Sequence, residues 1–487
     1  MKTSIKKLLM GSGSSIKDAL KLINDNGLSA CFIIDDKTGK MIGLITDGDI
    51  RRSILNGAQL NKHILEIANK DFIYANINDT TGKINSLLGD KIKILPLLND
   101  KHIPVDYATM SHIRYLPIYE PNFSGNELSY VNECVKTGWI SSQGKFVKEF
   151  EKKFAEFLNV PFALTTSNGT TALHLALTAL NIGPGDEVIV PDLTFAASIN
   201  SIIYTGATPV IVDVDRNSFN IDTSLIEEKI NFRTKAIMPV HLYGNPCDMD
   251  EISFLAQKYN LKIVEDAAES FGSEFNGIKA GAIGDLGCFS FFGNKTITTG
   301  EGGMIVFKSK ELYEKARILR DHGMLPQKRY WHEYLGFNYR VTNLQAAIGL
   351  AQLERANEII EKKIRIGRMY LEELKDIPGV SLIKENPKSI NTYWLFSLVL
   401  EKEKGWNKTL LQQKLQDNGI ETRNLFYPLH IMPPYKKYID ENDNFAVSEY
   451  LSANGVSLPS SILITENNVK EISKIIYEFY QMNLIVN

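Results

Sequence analysis

Lys295 stands in a loop between two apolar runs, CFSFF (288–292) and GGMIVF (302–307), which predict a pair of short buried strands. Thr296, Thr298, Thr299, Gly300, Gly302 and Gly303 shape the connection. A lysine held against apolar walls tends to lose its proton, because desolvation penalises the ammonium. The neutral amine is the form that condenses with an aldehyde to a Schiff base. Most lysines in turns are merely solvated, so this stretch alone leaves both readings open. Upstream, LKIVEDAAES reads as an apolar strand ending in Glu265 and Asp266. Acidic residues at the carboxyl end of a buried strand lie where open α/β sheets bind ligands. FALTTSNGTTALHLALTAL reads as a strand, a turn at Asn168 and Gly169, and a helix opening near Thr170. The free N–H groups and dipole of that opening attract an anion. The Ser290 hydroxyl, shortly before Lys295, can serve the same anion.

An aldehyde-accepting lysine, a carboxylate to pair with a protonated pyridine nitrogen and a phosphate cradle are what pyridoxal phosphate requires. These motifs, with PDLTFAASINSI, VHLYGNPCDM and GFNYRVTNLQAAIGLAQLE, carry a resemblance. From about Pro117 onward the chain resembles the sugar-nucleotide aminotransferases of the DegT/DnrJ type, which have the aspartate-aminotransferase (fold type I) architecture. FFGNKTITTGEGGM, KRYWHEYLGFNYR and ETRNLFYPLH are similar to members that aminate carbon 4 of a GDP-linked 4-keto-6-deoxyhexose.

The elements that must position these residues follow an alternating pattern. FALTTS, DEVIVP, TPVIVD, KAIMPVHL, KIVED, CFSFF and GGMIVF read as strands, separated by helices such as ASINSIIYTG and MDEISFLAQKYN. Such alternation predicts an α/β fold with a mainly parallel, seven-stranded sheet and helices on both faces. A smaller α+β domain follows, with a strand around YWLFSLVL and a terminal helix NVKEISKIIYEFYQM. Residues 1–112 read as a separate α/β module with a weak internal repeat that resembles a pair of CBS motifs. Its first copy centres on IGLITDGDIRR, and its second is degenerate. The expected division is 1–112, a cofactor-binding large domain over 113–355 and a small C-terminal domain over 356–487.

The length of 487 residues exceeds one ordinary core, which agrees with several domains. A net charge of −3 argues against a nucleic-acid partner. No apolar run is long enough to span a membrane, and MKTSIKKLLMGSGSS makes a poor signal peptide. Cys31, Cys134, Cys247 and Cys288 are widely spaced, which fits neither a zinc site nor a disulfide framework. The expected compartment is the cytoplasm, and no metal is expected.

The resemblance implies further roles. Lys295 is the amine that joins the cofactor, and Asp266 is the partner of its ring nitrogen. Asn168, Gly169, Thr170 and Ser290 surround its phosphate. Phe195 is placed over its ring, and Glu269 lies nearby at a position that varies in the family. Asn338 matches a residue that reaches the cofactor phosphate of a neighbouring subunit, so a homodimer or higher homo-oligomer with shared sites is implied. Trp139, Tyr427 and His430 match positions close to the sugar. Glutamate is the implied amino donor, and a nucleotide-linked keto sugar the acceptor. UDP- or dTDP-linked sugars and amination at carbon 3 stay open. Some relatives are dehydratases with histidine in place of the lysine, and Lys295 argues against that activity. A non-enzymatic regulator would have no need of Lys295, Asp266, Ser290 and Asn338 together. In the N-terminal module, Thr46 and Asp49 match residues that hold a nucleotide in CBS proteins. Asp49 as a plain helix cap is the equal alternative.

Overall fold

The computed structural model describes residues 5–77, 79, 81–89, 91–109 and 116–486. It separates into two compact units: residues 1–116 with 413–420, and residues 117–412 with 421–487. The expected boundary at 112/113 lies outside the described residues, as do Met110 and residues 111–115 of the expected linker.

The first unit repeats a helix-and-strand theme. β1 (Leu9–Gly11), α1 (Ile16–Asn26), β2 (Ala30–Ile34), β3 (Met41–Thr46) and α2 (Asp47–Leu55) come first, with the sheet order β1-β2-β3. The second passage has β4 (Ala75–Asn76), α3 (Thr81–Leu87), β5 (Ile94–Leu98) and β6 (Pro104–Thr109), ordered β4-β5-β6. In both, one parallel pair is followed by one antiparallel pair. The degenerate second copy thus keeps the backbone plan. α1 and α2 both open with reciprocal capping boxes, Ser15 with Asp18 and Thr46 with Asp49.

The second unit opens with α4 (Glu127–Thr137), α5 (Lys145–Leu158), β7 (Phe162–Thr166), α6 (Gly169–Ala179), β8 (Glu187–Pro191), α7 (Ala197–Tyr204) and β9 (Thr208–Val212). β10 (Thr234–Ile237), α8 (Met249–Tyr259), β11 (Lys262–Asp266), the short strands β12 (Glu274–Phe275) and β13 (Ile278–Lys279), β14 (Leu286–Ser290) and β15 (Gly303–Phe307) follow. They build one seven-stranded sheet, β7-β15-β14-β11-β10-β8-β9, in which only β15 runs against its neighbours. The expected seven segments are all present. KAIMPVHL stops as a strand at Ile237, because Pro239 has no N–H to continue a ladder.

Beyond the sheet run α9 (Lys310–Arg320), α10 (Asn343–Glu354), α11 (Ala356–Leu374), β16 (Val380–Leu382), β17 (Ser389–Ile390), β18 (Phe396–Leu400), α12 (Lys408–Asp417), β19 (Arg423–Asn424), α13 (Ala446–Asn454), β20 (Gly455–Leu458) and α14 (Glu466–Val486). β16-β18-β20-β19 is an antiparallel sheet, the expected α+β part. YWLFSLVL becomes a strand only from Phe396, because Tyr393 has a φ of 49° and cannot sit in a ladder. Among the described residues, no helix is long and apolar enough to cross a membrane.

Packing fixes the Lys295 loop from below. Phe291, at the exit of β14, lies 5.2 Å from the Phe150 ring and 5.6 Å from Phe154. Phe154 also meets Phe289 edge-on at 5.0 Å. Each such pair adds roughly 0.5–1.5 kcal/mol beyond its buried area. The loop therefore leaves the sheet from a rigid aromatic base.

Candidate active site

The carboxyl ends of β7, β11 and β14 converge, and β15 enters beside them in the opposite direction. Gly303, the first residue of β15, pairs with both Thr166 and Ser290. α6 begins directly after β7. The Asn168 side chain accepts from Thr171 N at 2.9 Å, and the Thr171 hydroxyl accepts from Asn168 N at 3.1 Å. Asn168 is thus a helix cap whose side chain is used locally. The anion-attracting N–H groups come from the residues after it. Gly169 is required here: a Cβ at this position would lie 2.8 Å from the Ser290 Cβ. The first turn of α6 and the Ser290 hydroxyl therefore share one corner, the expected cradle.

Asp266 is buried at the end of β11. Ser198 Oγ donates to its Oδ2 at 2.7 Å, and Ala268 N donates to its Oδ1 at 3.1 Å. Burial pushes its carboxyl above the usual range, against the opposing pull of these donors. Its neighbour Glu265 does different work. It accepts from Gly281 N and Ile283 N at 2.7 Å and from Gly284 N at 2.5 Å, and it meets His241 Nε2 at 2.9 Å. Cys247 N donates to His241 Nδ1, so Nε2 carries the proton that Glu265 accepts. Burial alone would raise Glu265, but these donors hold it below the ordinary value. Glu265 pins the turn that leads into β14, and Asp266 is the carboxylate left for chemistry.

Lys295 is largely buried, with Nζ 3.3 Å from Glu269 Oε1 and 3.7 Å from the centroid of the Trp394 ring. The walls are thus mixed: an indole face and a carboxylate in place of apolar groups alone. Glu269 Oε2 accepts from Tyr243 N at 3.0 Å, and burial raises its carboxyl above the ordinary value. The structure brings together Lys295, Glu269, Asp266, Gly169 and Ser290 through the shared ends of these strands.

The remaining predicted residues sit differently. Phe195 is exposed, with its ring 5.9 Å from Phe426. Tyr427 is exposed as well. His430 is clamped: Nδ1 lies 2.7 Å from Asp192 Oδ2, Nε2 lies 3.2 Å from Glu449 Oε1, and the ring stacks on Phe445. Burial would lower its pKa, but the two carboxylates raise it. Both nitrogens are therefore engaged within the chain. Trp139 is exposed, and its carbonyl accepts from Asn343 Nδ2 at 2.6 Å. Asn338 is exposed on the segment leading to Asn343, with Oδ1 accepting from Arg340 Nε at 3.1 Å. In the first unit, Asp49 Oδ2 accepts from Thr46 N and Oγ1 at 2.9 and 2.7 Å, and Oδ1 pairs with Arg52 at 2.6 Å. The bonding observed is that of the helix cap.

Four residues escaped the sequence reading. Ser198 lies three residues after Phe195, in a helical segment where a serine carries no signal of its own. Tyr243 and Trp394 are buried and stack at 6.2 Å, and nothing in the sequence marks either as part of this site. Tyr119 sits in the expected linker, yet its hydroxyl donates to the Lys295 carbonyl at 2.6 Å.

Residues 121–477 match the DegT/DnrJ/EryC1/StrS aminotransferase family. The chain belongs to this family. Residues 10–56 match the CBS domain. GDP-perosamine synthase of Escherichia coli O157:H7 is 47% identical over 368 residues, covering 76% of this chain and 99% of that protein. The crystal structure of S. venezuelae DesV is 32% identical with a TM-score of 0.69, covering 73% of this chain and 94% of DesV. That of the E. coli GDP-4-keto-6-deoxy-D-mannose-3-dehydratase with bound hydrated PLP is 27% identical with a TM-score of 0.70, covering 74% and 98%. The chain is a pyridoxal-phosphate-dependent sugar aminotransferase of fold type I. The residues present fit this cofactor: a lysine amine, a buried carboxylate, and a helix start that only glycine can bring against Ser290.

Proposed function

We propose that this chain transfers an amino group from glutamate to carbon 4 of GDP-4-keto-6-deoxymannose, as a GDP-perosamine synthase. The observation that carries the reading is the Lys295–Glu269 pair, with Lys295 largely buried and Glu269 and Asp266 buried, in a chain 47% identical to an enzyme of that name. Lys295 would hold the cofactor, Asp266 its ring nitrogen, and Gly169, Thr170 and Ser290 its phosphate. Bound pyridoxal phosphate supplies an electron sink for deprotonation at the donor's α-carbon. Lys295 Nζ would accept that proton, from the position beside Glu269 where the structure holds it. Asp266 would keep the ring nitrogen protonated through its own negative charge. Ser198 and Ala268 hold that carboxylate in one orientation. Glu269 fixes the resting position of Nζ. Phe195 and Tyr427, both exposed, offer aromatic surface to cofactor and sugar. His430, bound on both nitrogens, contributes shape rather than a mobile proton.

The protein works as a homodimer or higher homo-oligomer, to which the exposed Trp139 and Asn338 segments, joined through Asn343, present one patch. It acts in the cytoplasm in the synthesis of a surface polysaccharide such as O-antigen. The working division remains a module over 1–112, a large domain over 113–355 and a small domain over 356–487. The module binds a purine nucleotide beside Thr46 and Asp49 or serves assembly, and calorimetric titration of nucleotides separates the two. Assaying GDP-, UDP- and dTDP-linked keto sugars with glutamate tests the substrate: preference for a UDP or dTDP sugar would replace the GDP reading.

A further inference from the structure

Lys363, on α11, is a fully buried lysine. Among the described residues no carboxylate is paired with it. Its Nζ donates instead to the backbone carbonyls of Trp394 at 2.9 Å and Ser460 at 2.5 Å. It also lies 5.6 Å from the centroid of the Tyr119 ring. Burying a cation against neutral partners is costly. Burial indeed lowers this ammonium to about 7.

What its partners hold accounts for such an arrangement. Trp394 lays its indole face 3.7 Å from Lys295 Nζ, and its Nε1 donates to the Asn294 carbonyl at 2.7 Å. Tyr119 donates to the Lys295 carbonyl at 2.6 Å. One residue therefore grips the Lys295 side chain and the preceding peptide, while the other grips the Lys295 peptide itself. Both meet at Lys363. The Trp394 side chain is fixed by Asn294 at one end, and its backbone is fixed by Lys363 at the other.

We propose that Lys363 is a positioning residue for Lys295, acting through Trp394. Two carbonyls aimed at one ammonium lock the peptide that carries the indole. The indole then sets which direction the Lys295 amine faces and how far reagents can reach it. Without the ammonium, the Trp394 and Ser460 carbonyls lose their shared donor and the indole loses its fixed base. The inference rests on Lys295 being the reactive amine.

The test uses the full-length chain stripped of cofactor, with trinitrobenzenesulfonate as the amine probe and peptide mass spectrometry to follow Lys295 alone. Lys363→Met, close in length and uncharged, is expected to raise the labelling rate of Lys295 by about threefold or more. Trp394→Phe should do the same, and the double variant should add nothing, because both changes act on one contact. Lys363→Arg keeps the charge and donors, so its labelling should stay near the parent rate. Unchanged Lys295 labelling in a folded Lys363→Met variant with a lowered melting temperature would mean a purely structural lysine and overturn the proposal. Additive effects in the double variant would overturn it as well. If Lys363→Met does not fold, Lys363→Leu takes its place: Lys295 labelling at the parent rate in that folded variant overturns the proposal, and labelling as fast as in Trp394→Phe supports it. Labelling needs no turnover, so a negative result here leaves the assignment of Lys295 standing.

Discussion

Ser198 Oγ and Asp266 Oδ2 lie 2.7 Å apart, both buried, one at the start of α7 and the other at the end of β11. The serine donates, so one carboxylate oxygen is held while burial pushes the carboxyl upward. A carboxylate poised in this way is costly to the protein alone and useful once a cation sits opposite it.

Asp266→Asn should therefore separate stability from function. The folded-state pKa of Asp266 is raised above its unfolded value, so the native state takes up protons more readily than the unfolded chain. Its contribution is most favourable below the unfolded pKa and declines as pH rises through the folded one. In cofactor-free protein the Asn variant should melt higher than the parent near neutral pH, and this advantage should shrink on acidification toward the ordinary Asp range. Thermal melts across that range check the sign. The same variant with cofactor should lose most of its turnover, since an amide does not pair with a charged pyridinium.

Gly169→Ala is expected to leave the sheet intact and loosen the cradle. The new methyl would need the space of Ser290, and overpacking of this kind costs about 1–3 kcal/mol. Cofactor retention should fall by roughly tenfold or more, read by fluorescence titration of pyridoxal phosphate into stripped enzyme.

Asp49→Ala should destabilise the first unit whether or not a nucleotide is present. It removes the acceptor for Thr46 N and Oγ1, a loss of about 1 kcal/mol. Asp49→Asn keeps an acceptor and should melt close to the parent. A melting difference that appears only with added nucleotide would point instead to a ligand contact.

Asn338→Ala and Lys295→Ala protomers, each impaired alone, should regain activity when mixed into verified heterodimers. One of the two sites would then hold both residues. No recovery would place the whole site within one chain.

Much of this was legible beforehand, because the signals were local. Seven apolar runs at strand length gave the sheet, and residues at their carboxyl ends gave Asp266, Ser290 and the Gly169 turn. What stayed hidden depends on distant pairing. Trp394 and Tyr119 come to Lys295 from chain segments far away in sequence, and no periodicity announces an indole turned toward an amine. Glu265 and Asp266, adjacent and alike in the sequence, part company only because alternate residues of β11 face opposite sides. No sequence neighbour marks a partner for His430, and Asp192 and Glu449 reach it only through tertiary packing.

In the proposed function, the Lys295 amine serves a transamination at carbon 4 of a GDP-linked keto sugar. Incubating the purified full-length protein with GDP-4-keto-6-deoxymannose and 15N-labelled glutamate tests it most directly. The expected products are a GDP-sugar bearing 15N at carbon 4 and one 2-oxoglutarate released per amine transferred, with turnover lower by at least about 10³-fold in Lys295→Ala. A sugar that loses its 3-hydroxyl without gaining nitrogen, or 15N transfer undiminished in Lys295→Ala, would contradict it.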